Sequence, residues 1–123
     1  MAKTVFKDEL FNLLDQHNYG LFEKVDLVKN LLVQYQKERE RPIHTPNKGK
    51  PWTDEELEII LSVAPTKENC AKFARIFKRG YGSIEQIYRW AATSDKDIVR
   101  KERDDDAFIQ QIKRVAKKIG FRA

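Results

Sequence analysis

PWTDEELEIILSVAPTKENCAKFARIFKRGYGSIEQIYRWAAT, residues 51–93, holds three short helical patterns separated by a proline and a pair of glycines. Thr53 is a favoured N-cap, and Glu56 three residues later completes a capping box. Asp54, Glu55 and Glu56 suit the positive end of a helix dipole. Trp52, Leu57, Ile60 and Leu61 form the apolar side, and Pro65 stops the helix. Thr66 caps the next segment, with Cys70, Phe73, Ala74 and Phe77 inward and Lys72, Arg75 and Arg79 on a basic stripe. Gly80, Tyr81 and Gly82 are expected to turn the chain, and Ser83 to cap a third helix. Ile84, Ile87 and Ala91 mark its apolar seam, flanked by Trp90, and Glu85, Gln86 and Arg89 are polar.

The flanking segments are helical as well. KTVFKDELFNLLDQHNYG places Phe6, Leu10, Leu13, Leu14 and His17 on one face and ends at Asn18 and Gly20. A second helix is expected from about Leu21 to Glu40, striped by Leu21, Val25, Val28, Leu31, Leu32 and Tyr35 at spacings of three and four. Together they predict an αα-hairpin, which alone rarely buries enough surface to be stable. It must pack on the rest of the chain or on a second copy. Three prolines and a glycine break residues 38–51 into a linker, ordered only if it docks. After the charged run SDKDIVRKERDDD, a last helix is expected over about Asp105–Ile119, with Phe108, Ile112, Val115 and Ile119 on one stripe and Gly120 just past its end. The expectation is an all-α protein in four regions. Residues 1–41 form a hairpin for dimerisation or partner docking, and 42–50 a basic linker. Residues 51–93 form a three-helix module, and 94–123 a charged segment with a final helix.

Composition narrows the function. The 123 residues carry a formal net charge of +5. Residues 1–41 hold seven Lys/Arg against seven Asp/Glu, 42–93 eight against six, and 94–123 nine against six. The basic excess therefore lies in the middle and end. One cysteine, Cys70, allows no internal disulfide, and no stretch approaches the roughly 18 apolar residues of a membrane span. These features predict an intracellular protein. His17 and His44 lack metal-ligand spacing, and Asp104–Asp106 read as a helix N-terminus, so no metal or other cofactor is expected. No phosphate-binding loop, nucleophile elbow or kinase signature occurs, and the chain is not expected to be an enzyme.

Trp52, Thr53, Glu55 and Glu56 at the start, with Ser83, Gln86, Ile87, Arg89 and Trp90 at the end, give Pro51–Thr93 a pattern that resembles the Myb/SANT-like, homeodomain-like helix-turn-helix modules. The resemblance covers about a third of the chain. It implies a small aromatic core and a third helix that enters the major groove of double-stranded DNA. Chemistry points the same way. Gln pairs with adenine, Arg with guanine, and Glu accepts from cytosine, so Glu85, Gln86 and Arg89 are the candidate base-contacting residues. Lys48, Lys50, Lys72, Arg75, Lys78, Arg79, Ser83 and Tyr88 are the candidate phosphate contacts. This reading makes the chain a transcription or DNA-transaction regulator. The alternative is that the polar residues are a solvated face. Many SANT-like modules bind protein instead, as an adaptor or inhibitor would.

Overall fold

A computed structural model describes residues 2–121 of the chain. It is all-helical: α1 (Lys3–Asp15), α2 (Leu21–Arg39), α3 (Asp54–Leu61), α4 (Lys67–Phe77), α5 (Tyr81–Ala92), α6 (Asp95–Arg100) and α7 (Ala107–Ile119), with one 3-10 turn at Pro42–His44. No strand occurs among the described residues. The chain forms two compact units that divide between Leu32 and Val33, inside α2 and ahead of the boundary expected at residue 41.

In the unit from Val33 onward, local signals set the helix starts. Thr53 accepts from the Glu56 N–H while Glu56 accepts from the Thr53 N–H, which closes the capping box of α3. Thr66 accepts from the Asn69 N–H at the start of α4. Asp106 accepts from the Phe108 and Ile109 N–H groups at the start of α7, and Gly120 ends that helix with φ at +72°. The inward residues then meet in one core. Leu57 and Ile60 of α3, Phe73 and Ala74 of α4, Ile84 and Ile87 of α5, and Ile112 and Val115 of α7 are all buried there. The principal helix pairs are α4 with α5, and α7 with both α3 and α5. The final helix is thus an integral wall of the core that holds α3–α5, and residues 51–93 do not delimit that core.

Three local expectations are corrected. Gly80, in extended conformation, is the N-cap of α5, so Tyr81 and Gly82 are helical and Ser83 is an internal residue rather than the cap. The turn between α4 and α5 is made by Lys78, which adopts the left-handed conformation with φ at +55°. A short helix that was not expected, α6, interrupts the charged run, capped by Ser94 accepting from the Asp97 N–H. The linker is docked. The Asn47 N–H donates to the Lys78 carbonyl at 3.1 Å, and the Asn47 side chain donates to the Phe77 carbonyl at 2.9 Å.

The unit of residues 2–32 holds α1 and the first turns of α2. No residue of either helix is buried. The expected hairpin is therefore two connected amphipathic helices without a core of their own.

Candidate nucleic-acid interface

The residues expected to read bases lie on the outer face of α5. Gln86 and Arg89 are exposed and Glu85 is half-buried. Arg89 lies 3.9 Å from the Glu85 carboxylate, a loose pair one turn apart. Opening such an exposed pair costs little. The start of the helix is different. Glu40, just past the end of α2, accepts from the Tyr81 N–H at 2.7 Å. A carboxylate of the chain itself thus occupies one of the amides that an incoming phosphate would use. Lys37, on the same turn as Glu40, sits over the Tyr81 ring. Gln36 donates to the Ala71 carbonyl at 2.8 Å.

Two candidate phosphate contacts prove to be structural, and a third loses its expected role. Tyr88 is buried, and its hydroxyl donates to the Ile60 carbonyl at 2.5 Å, tying α5 to α3. Burial pushes its ionisation well above the ordinary tyrosine range. Arg79 is only 5% exposed. Its guanidinium donates to the Lys50 and Pro51 carbonyls and lies 3.7 Å above the Trp52 ring. Arg79 therefore holds the linker against the core and presents no charge to solvent. Ser83, half-buried inside α5, does not cap the helix, and Gly80 has that place.

The other five form a strip. Lys72 and Arg75 are exposed one turn apart on α4, and Lys78 follows at its end. Because Asn47 is bonded to Phe77 and Lys78, the docked linker brings Lys48 and Lys50 to the same end of α4. Lys72 lies over the Phe73 ring and Lys50 donates to the Asn47 amide oxygen. None of the five has a carboxylate within ion-pair distance among the described residues.

The cations of α7 contrast with them. Arg114 pairs with Asp54 at 2.9 Å and Lys118 with Glu58 at 2.6 Å. Lys117 and Lys113 lie 3.5 and 3.7 Å from Asp95. Lys113 also donates to the Thr93 carbonyl at 2.7 Å, closing the end of α5. Asp54 and Asp95, in the first turns of α3 and α6, thus also pair with a neighbouring helix, as does Glu58 further along α3.

Sequence reading missed Glu40 and Asn47. Both act across the chain, 41 and 30 residues from their partners, and no local pattern marks such a contact. Cys70 is buried as expected, and burial, with Glu85 nearby, raises its thiol above the usual range. Among the described residues no group of His, Cys, Asp and Glu is placed to hold a metal, and no helix is long and apolar enough to cross a membrane.

The fold and strip define a small helical domain with an unneutralised basic ridge. The chain belongs to the family described as Uncharacterised protein PM1205 C-terminal domain, which matches residues 46–123. It is 50% identical over 125 residues to Uncharacterized protein PM1205 of Pasteurella multocida (strain Pm70), covering 99% of each chain. No solved structure matches it.

Proposed function

We propose that the chain binds double-stranded DNA, chiefly through phosphates, along the ridge of Lys48, Lys50, Lys72, Arg75 and Lys78. The observation that carries this reading is the gathering of five cations without carboxylate partners, while the four basic residues of α7 are all paired. Collecting like charges works against folding, and a polyanion offsets the repulsion. Gln86 and Arg89 are the candidates for base contacts, with Glu85 released from its loose pair. The Glu40 carboxylate at the start of α5 weighs against deep insertion of that end. Modest sequence preference on top of strong phosphate binding is the expected behaviour. The resemblance of residues 51–93 to Myb/SANT-like modules supports a DNA ligand and a regulatory role in DNA transactions.

The test is fluorescence anisotropy on a random-sequence duplex across a salt series. Five phosphate contacts predict a log–log slope of about −4.5. The Lys72→Gln/Arg75→Gln/Lys78→Gln variant should lose about 2–3 of that slope, because each contact contributes roughly 0.9. Lys117→Gln/Lys118→Gln, which removes paired cations, should leave it nearly unchanged. Equal losses in the two variants would remove the ridge as the site. No binding at low salt would leave a protein-interaction module without DNA contact as the surviving reading.

A further inference from the structure

We infer that residues 2–32 are a self-association surface, in which α1 and the first turns of α2 pack against the same segments of a second copy. The first ground is the absence of a core. Two amphipathic helices of this length are marginal in water unless their apolar faces are covered. Here no residue of either is buried. Phe6 and Leu13 of α1, and Leu21, Val25 and Leu32 of α2, are each 42–70% exposed, at helical spacings that form a stripe on each helix. Phe22 is 80% exposed as well, and a groove of about 230 Å³ is lined by Leu14, His17, Tyr19, Lys24 and Leu27. Exposed large side chains and a small groove on the same unit suit knobs-into-holes packing across a two-fold axis.

The second ground is area. Eleven large apolar side chains of this unit are at least 42% exposed. At roughly 150–250 Å² for each of the four whole aromatic side chains, and somewhat less for the seven Val and Leu, they expose on the order of 1,000 Å². A standard stable interface needs about 800 Å² from each partner. Spread over both helices, that surface is of the size two copies need for a four-helix association.

The third ground is charge. Residues 1–32 hold four Lys/Arg against five Asp/Glu, whereas 33–123 hold twenty against fourteen. The nearly neutral unit does not repel a copy of itself, and no single-sign field selects an oppositely charged foreign partner. The inference is independent of DNA binding, and duplication would place two basic ridges in one particle and raise avidity for a polyanion.

Sedimentation equilibrium of the full chain tests it, from low micromolar to several hundred micromolar. The expected result is a mass that plateaus at twice 14.5 kDa. The Leu13→Glu/Val25→Glu variant should weaken the dimer by on the order of 100-fold or more, because it buries charge at the contact. Ile76→Glu, which alters an exposed apolar residue of α4 instead, should keep the wild-type mass profile. Trp fluorescence and urea midpoints should show the Val33–Phe121 unit folded in each variant. A monomer at every concentration overturns the inference. So does a mass that climbs without a plateau, a dimer untouched by Leu13→Glu/Val25→Glu, or one lost equally in Ile76→Glu.

Discussion

Helices α4 and α7 read alike in sequence, each with apolar residues at spacings of three and four and a run of Lys and Arg on the other side. In the fold they differ. The cations of α7 face Asp54 and Glu58 of α3 and Asp95 at the start of α6, and each lies within ion-pair distance of a carboxylate, Lys113 and Lys117 sharing Asp95. The cations of α4 are flanked instead by a linker whose docking adds Lys48 and Lys50. A basic stripe is thus a ligand face or an internal brace according to what packs beside it. Helix dipoles alone favour the acids at the starts of α3 and α6. Packing then turns those acids on α7 and away from α4.

The comparison breaks first if α7 is an appendage rather than a wall of the core. Ile112→Ala tests this. Ile112 is fully buried at the meeting of α7 with α3 and α5. Its truncation should cost about 2–5 kcal/mol, read as a lowered urea midpoint with the slope unchanged. A loss near zero would restore an independent three-helix module over residues 51–93.

Next in size is the clamp that carries the linker. Arg79→Gln removes the planar fork that spans the Lys50 and Pro51 carbonyls and the stacking on Trp52. The expected loss is about 2 kcal/mol, and Arg79→Lys should not rescue it, because an ammonium cannot make the same fork. DNA affinity should fall through the release of Lys48 and Lys50. In the variant with Lys48 and Lys50 already neutral, Arg79→Gln should lower it no further. A further loss there would return Arg79 to the phosphate-contacting set.

Tyr88→Phe is expected to cost about 1 kcal/mol, since it leaves the Ile60 carbonyl without its buried donor. It should leave DNA binding unchanged at a given folded concentration, which a hydroxyl on phosphate would not. What was legible beforehand follows the same division between local and distant causes. The capping box at Thr53, the caps at Thr66 and Asp106, the left-handed Gly120 and the inward stripes of α3, α4, α5 and α7 are written within a few residues of where they act. Tyr88 was legible too, one turn past Ile84 on the same seam, but its hydroxyl drew it to the polar side. Ser83 resembled a cap because it precedes Ile84, whereas an extended Gly80 starts the helix three residues earlier. Ser94, three residues before Asp97, marked α6 inside a run whose charge hid the pattern. Glu40, Asn47 and the pairing of α7 depend on partners far along the chain, and only the fold supplies them.

The smallest expected effect sharpens the contrast most, because it separates stability from binding at one residue. Lys78 is a lysine in the left-handed conformation at the end of α4, a place glycine fills without steric cost. Holding a Cβ there costs roughly 1 kcal/mol, partly offset by the greater freedom glycine has when unfolded. Lys78→Gly should therefore raise stability by about 0.5 kcal/mol. It should also reduce the salt slope of DNA binding by about 0.9, the value of one phosphate contact. Lys78→Asn tolerates the same conformation while losing the charge, so it should repeat the binding loss with less gain in stability. Opposite signs for stability and affinity would mark a cation kept at a conformational cost, as the ridge requires. If both fell together, Lys78 would be a structural residue like Arg79, and the ridge would end at Arg75.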